Sequence, residues 1–281
     1  MSNKADTKLV KFLKNPAAVV GFIFTFGWLF IAVFAEWIAP FGSNDTFKAY
    51  AKPMSVVDGN LLIFGADQLG RDVFSRIIYG ARIVVIWSTI AIAVSYSIGI
   101  ILGVIAGYYR GWIDTVMSFI ANSILAFPVL VLFVIVIVSM GGGSGVNIVV
   151  AVTFSSAPMT FRLVRAVVMD VKTQDFVQAA ITRGESDISI MLKEILPNAT
   201  GPLIVDACLR YGYTAIMIGT LGFLGLGLAP PTPDWGSMIS QGKALAIAFP
   251  HLIIPPALAI STLVLGLNLL ADGLREVSMK R

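Results

Sequence analysis

Six apolar stretches, separated by polar connections, set the plan of this chain: residues 17–38, 83–108, 113–140, 146–161, 202–228 and 249–270. Crossing the hydrocarbon of a bilayer takes about 20 apolar residues in a helix. Five of the stretches reach that length. The fourth reaches it by running on to Met169, with Arg162 and Arg165 snorkelling to the interface. Lipid offers no partner to a free backbone group, so each stretch is read as a helix. The pattern predicts an all-α polytopic membrane protein with about six transmembrane helices. Pro128 and Pro158 lie inside the third and fourth stretches and predict a kink in each.

Composition agrees with a membrane solvent. Hydrophobic residues make up 57% and charged residues 13% of the 281 positions, against about 25% charged in soluble domains. The net charge of +4 comes from residues scattered around the apolar stretches, which fits orientation signals rather than nucleic-acid binding. Lys4, Lys8, Lys11 and Lys14 precede a first stretch too long for a signal-peptide core. It reads as an uncleaved span, and an even number of spans puts both ends on one side. With the ends in the cytoplasm, the inside set includes Arg110, Arg162, Arg165, Lys172, Arg183, Lys193, Arg275, Lys280 and Arg281. The outside set is Lys48, Lys52, Arg71, Arg76, Arg82 and Lys243, and the bias favours this orientation. One cysteine, Cys208, and one histidine, His251, leave no intrachain disulfide and no zinc or haem set. His251 reads as an interfacial residue.

Three connections are long: 39–82 and 229–248 outside, and 170–201 inside. The inner one carries Gln178-Ala179-Ala180, then Gly184, then Ile195-Leu196-Pro197. Small residues let a partner surface approach, Gly184 can turn the chain at φ > 0, and Pro197 ends the second segment. That describes a helix, a sharp turn and a helix, or equally a plain amphipathic connector. The loop resembles the EAA loop of ABC-importer permeases, with Gln178 in place of the motif's Glu and Glu194 in place of an Ile. The resemblance implies a coupling helix that docks on an ATPase subunit, with Gln178, Ala179, Ala180, Gly184, Asp187, Leu196 and Pro197 as its residues.

Three further blocks narrow the family. Residues 64–82, carrying Asp67, Arg71, Asp72 and Arg76, resemble the block before the second span in dipeptide/oligopeptide/nickel permeases. Residues 223–236, with Pro231 and Trp235, and residues 268–275 resemble later blocks of that family in the same order. Asp67–Arg71 and Asp72–Arg76 are spaced to pair on a helix surface. They make either a self-paired solvated helix or a contact for a binding protein or a second permease. Trp235 suits an interfacial anchor, and its segment is alternatively an external gate.

Within the stretches, Gly99, Gly103 and Gly107 give one helix a bare face for close packing. Asp206 and Arg210 are charged residues at membrane depth, four apart. They are either a neutralised structural pair or part of the translocation pathway. Residues 236–243 miss the phosphate-loop spacing, and Ala244 follows the Lys. Nothing in the chain hydrolyses ATP by that route, so it reads as a non-enzyme.

The resemblance implies a MetI-like permease core at 83–281, with a coupling loop at about 170–200, preceded by a segment 1–82 holding the first span and an extracytoplasmic loop. It implies a bacterial inner-membrane importer of di- or oligopeptides. The implied partners are a second homologous permease, two ABC ATPases carrying ATP and magnesium, an extracytoplasmic substrate-binding protein and membrane lipid. No cofactor is expected on this chain. Nickel chelates, opines and oligosaccharides are the other cargoes the family admits. An ion-coupled secondary transporter is the rival of another class; it needs carboxylates or histidines buried in several spans, but the sixth stretch has none at depth, and the third and fourth hold none beyond Asp114 at an end.

Overall fold

A computed structural model describes residues 15–279, with side chains through residue 276. Lys4, Lys8, Lys11, Lys14, Lys280 and Arg281, and with them the side on which the chain ends lie, fall outside the described residues.

Every apolar stretch is helical. Helix α1 (Pro16–Val33) starts on Asn15, whose side-chain oxygen accepts from the N–H groups of Ala17 and Ala18. Pro16 fits the first turn because its missing N–H has no helical partner there. A short α2 (Ala35–Ile38) follows. Next comes a hairpin of β1 (Ser55–Val57) and β2 (Asn60–Leu62), paired antiparallel with Val56 opposite Leu61. Its two turn residues, Asp58 and Gly59, both have positive φ, as a tight right-twisted hairpin requires.

Helix α3 (Val73–Tyr109) is 37 residues long and forms the axis of the fold. The third stretch differs from expectation. It is not one kinked span but two helices, α4 (Gly111–Leu125) and α5 (Val129–Ser139), bent by 91°. The residue before a proline is pushed out of helical geometry, so α4 ends before Phe127 and Pro128 opens α5. By contrast, α6 (Gly145–Val171) runs through Pro158 as one helix. Arg162 and Arg165 reach from it to α4. Arg165 pairs with Asp114 at 2.6 Å through Nη2, and Arg162 donates to Asn122. Both are held by partners on α4.

The 172–195 connection contains α7 (Asp175–Thr182), α8 (Asp187–Ser189) and a π-helical turn, Ile190–Ile195. That turn continues without a break into α9 (Leu196–Phe223). Leu196 N–H donates to the Met191 carbonyl, a five-residue closure. Pro197 therefore does not end the loop's second segment. It sits in the first turn of α9, where no N–H is needed, and the segment and α9 form one rod. After α9 come α10 (Trp235–Gly242) and α11 (Ile254–Met279).

Among the described residues, four helices are long and apolar enough to cross a membrane, or five if the bent α4–α5 pair is one span. Against the expected six, the difference is α9. Its 28 residues make a helix of roughly 42 Å at 1.5 Å per residue, but Asp206 and Arg210 dilute its apolar character.

Helices α3 and α6 lie parallel. A Cβ on Gly103 would stand 2.7 Å from the Cβ of Val164, and one on Gly107 2.9 Å from that of Val168. The bare face thus serves packing within this chain. Apolar clusters are stacked along the bundle. One end holds Val73, Ile77, Trp235 and Leu252, the middle Ala91, Phe133, Ile148 and Ile218, and the other end Val164, Val177, Ile190 and Ile195.

Candidate functional site

The loop of α7 and α8 lies at the end of the bundle where α3 and α6 finish. Gly184 has φ +76° and its N–H closes on the Ile181 carbonyl, a left-handed turn that L residues with a Cβ resist. No atom lies within 4 Å of where its Cβ would be, so only backbone geometry, and no contact inside the chain, calls for glycine. The small pair before it divides. Ala179 is exposed, but Ala180 is fully buried with Val177 against Ile190 and Ile195. Only Ala179 can face a partner. Gln178 donates to the Lys172 carbonyl at 2.8 Å. Phe176, Ile181, Ile188 and Leu192 stay exposed around the turn, an apolar surface on an otherwise polar loop.

Asp187 is bound from within. Tyr108, the penultimate residue of α3 and buried, donates its hydroxyl to Asp187 Oδ1 at 2.7 Å. Lys172 Nζ donates to the Tyr108 carbonyl at 2.6 Å and stands 4.3 Å above its ring. Sequence reading missed Tyr108, because its partners are far along the chain.

In the middle of the bundle, Arg210 donates to Asp206 at 2.6 Å, four residues away on α9. Tyr96 of α3 donates to the same carboxylate oxygen. One turn further on, the Tyr211 hydroxyl reaches Thr89 at 2.9 Å and the Val85 carbonyl at 3.0 Å. Polar contacts thus fasten α9 to α3 along the seam.

At the opposite end, the expected helix of alternating charges is absent. Residues 66–72 form a turn in which Ala66 bridges to Asp72, and the Asp67 carboxylate accepts from the N–H groups of Leu69 and Arg71. Asp67 and Arg71 do pair, at 2.7 Å, but Arg71 is only 5% exposed. Asp72 does not pair with Arg76. It caps α3, accepting from Ser75 N–H at 2.7 Å. Arg76 is 2% exposed and donates to the carbonyls of Ser43 and Pro231. Buried charges persist only where they are paired or hydrogen-bonded, and here they tie three loops together.

Trp235 is not an interfacial anchor. It is fully buried, donates to the Ile77 carbonyl at 2.9 Å, and packs on Gly80 and edge-on to Trp28. Asp234 beside it caps α10, accepting from Gly236 and Ser237. Burial pushes its carboxyl up to about 6, against those two hydrogen bonds. Sequence reading passed over Asp234, although an Asp just ahead of a helical segment is a capping signal. His251 is also buried rather than interfacial, its Nε2 lying 3.4 Å from the Ala66 carbonyl. Among the described residues, no three His, Cys, Asp or Glu side chains are grouped to hold a metal.

Comparisons with known proteins bear on this arrangement. Residues 99–281 match the family described as binding-protein-dependent transport system inner membrane component. Residues 8–53 match the N-terminal TM domain of oligopeptide transport permease C. The glutathione transport system permease protein GsiD of Escherichia coli O6:K15:H31 is 38% identical over 268 residues, covering 95% of this chain and 87% of that protein. The protein of the same name from Shigella boydii serotype 4 matches equally. Among solved structures, an inward-facing MetNI methionine ABC transporter superposes with a TM-score of 0.61 at 20% identity, covering 72% of this chain and 96% of that one. An amino acid ABC transporter with histidines gives 0.56 at 15% identity, covering 72% and 94%. At those identities the superpositions speak to fold alone.

Proposed function

This chain belongs to the binding-protein-dependent transport system inner membrane component family, a bacterial inner-membrane permease subunit of an ABC importer, and on that premise we propose that it forms half of a pathway for di- or oligopeptides. The proposed complex contains a second homologous permease, two ATPase subunits that carry ATP and magnesium, and an extracytoplasmic binding protein. This chain itself carries no catalytic group in that reading. The peptide class draws on the glutathione-transport name of the relatives.

The observation that carries the reading is the turn at Gly184, with φ +76°. It presents Ala179 and the exposed Phe176, Ile181, Ile188 and Leu192 at one end of the bundle, and it is continuous with α9 through the π-helical turn. An ATPase docked there pushes on a rod that lines the bundle. We place this end, with both termini, in the cytoplasm. Of the cations that weaken the charge bias on the other side, Arg71 is paired with Asp67 and Arg82 with Glu36, while Arg76 is buried on carbonyls. The orientation rests instead on the larger number of Lys and Arg residues in the connections on the loop side. At the outer end, Asp67, Arg71, Asp72, Arg76 and Trp235 hold the shape of the platform, and exposed Pro231 lies on its surface. Asp206 and Arg210, joined by Tyr96, act as a neutralised fastener of the pathway wall.

Affinity purification of this chain from its native membrane tests the proposal. ATPase subunits should accompany it, and hydrolysis should rise when loaded binding protein is added. Purification without any ATPase would overturn it.

A further inference from the structure

We infer that Tyr108 is the positioning residue that joins the coupling loop to α3, so that loop movement is delivered along α3 to the far side of the membrane. The inference rests on the coupling role given above to the loop and adds the route out of it.

Tyr108 meets the loop on both sides of the Gly184 turn. Before the turn, its carbonyl and ring hold Lys172, whose own carbonyl accepts from Gln178. After the turn, its hydroxyl holds Asp187, the first residue of α8. Within the loop itself, Arg183 pairs with Glu185 at 2.7 Å and Glu185 N–H reaches the Ala180 carbonyl, but neither tie touches α3; the other ties across the turn are apolar, among Val177, Ala180, Ile190 and Ile195. Such contacts are non-directional and let surfaces slide, whereas a hydrogen bond to a carboxylate fixes a distance and an angle. Exposed Tyr109 also neighbours the Asp187 carboxylate, but Tyr108 alone is buried and reaches the loop on both sides of the turn, so it is the point at which a displacement of α8 is converted into a displacement of α3.

Helix α3 is suited to carry it. It runs unbroken for 37 residues, roughly 55 Å at 1.5 Å per residue. The Gly99, Gly103 and Gly107 face locks it against α6. At its other end, the Ile77 carbonyl accepts from Trp235, and Arg76 holds the carbonyls of Ser43 and Pro231. One rigid helix is thus bolted to the coupling loop at one end and to the outer loops at the other.

The test uses the complete complex, reconstituted with its ATPases and binding protein. Tyr108→Phe removes only the hydroxyl and keeps the ring beneath Lys172. Assembly and basal ATP hydrolysis should be retained, while stimulation by loaded binding protein and uptake should fall by about tenfold, the scale of a lost hydrogen bond to a charged group. Asp187→Ala should lose the same stimulation, and Asp187→Asn, whose amide oxygen still accepts, should keep most of it. This comparison leaves α3 untouched, so it decides the matter even where Tyr108→Phe lowers the yield. The double variant Tyr108→Phe/Asp187→Ala should be no worse than either single one. Wild-type stimulation in Tyr108→Phe or Asp187→Ala, or equal loss in Asp187→Asn and Asp187→Ala, overturns the inference. Gly184→Val separates the two levels. If it uncouples while Tyr108→Phe does not, only the Tyr108 route falls. If Gly184→Val itself remains fully stimulated, the coupling-loop reading falls and takes the Tyr108 route with it.

Discussion

Trp235 and Ile77, 158 positions apart, are joined by a hydrogen bond of 2.9 Å from the indole N–H to the main-chain carbonyl. The ring fills the space left by Gly80 on α3. This bond seats helix α10 on the axis of the bundle.

Trp235→Ala should therefore destabilise the purified subunit by about 3–5 kcal/mol, the usual scale for emptying a buried aromatic site. Trp235→Phe should lose less, because most of the packing remains. Thermal melting in detergent measures both, and equal melting points for wild type and Trp235→Ala would refute the burial.

Asp234 gives a pH prediction. Its folded-state value, about 6, lies above the ordinary 3.8 because burial disfavours the charge. The folded state then holds the proton more tightly than the unfolded state. Its contribution is fully present below about pH 4 and is lost as pH rises through about 6. Asp234→Asn keeps an oxygen for the α10 cap and removes the titration. Relative to Asp234→Asn, wild type should lose on the order of 1–3 kcal/mol between pH 4.5 and 7. Parallel melting curves of the two proteins across that range would refute it.

Gly184 should tolerate Asn far better than Val. Asn visits left-handed geometry, while a β-branched residue there is strained by about 1–2 kcal/mol or more. With open space around the missing Cβ, insertion into the membrane should survive in both. Gly184→Val should lose ATPase binding and uptake, and Gly184→Asn should keep much of each. Pull-down of the ATPase subunits checks this.

Gly103→Leu should block the α3–α6 seam, since even a Cβ there would stand 2.7 Å from the Cβ of Val164. Lower yield of folded subunit is expected, and Val164→Ala should recover part of it. Wild-type yield from Gly103→Leu alone would show that the helices are not so close.

Asp206 accepts from two donors, Arg210 and Tyr96. Asp206→Ala should therefore cost more than Arg210→Ala, because it strands a partly buried cation and a hydroxyl together. Melting points and complex yields of the two variants measure the order, and a reversed order would count against the fastening role.

Much of this was legible in the sequence for a plain reason. Apolar length is a local property, and each of the six stretches forms helix because lipid and apolar neighbours alike demand internally satisfied backbone. Gly184 was equally legible, since a left-handed turn needs a residue without a Cβ. The Gly99, Gly103 and Gly107 spacing announced a close face, though not that α6 would fill it. Asp206 and Arg210 were paired by their four-residue separation, but Tyr96, 110 positions away, carried no local signal.

What only the tertiary structure decided is where polar groups find partners. Asp67, Arg71, Asp72 and Arg76 have helical spacing yet fold as a turn and a cap, because carbonyls of distant loops take up Arg76 and the Ser75 N–H takes up Asp72. Trp235 reads as an anchor by residue type and is buried by an acceptor on α3. Pro197 reads as a terminator and instead opens α9, because the π-helical turn before it closes on Leu196. Periodicity along the chain records what the solvent requires of each segment; the choice among possible partners is made only when segments far apart in sequence meet.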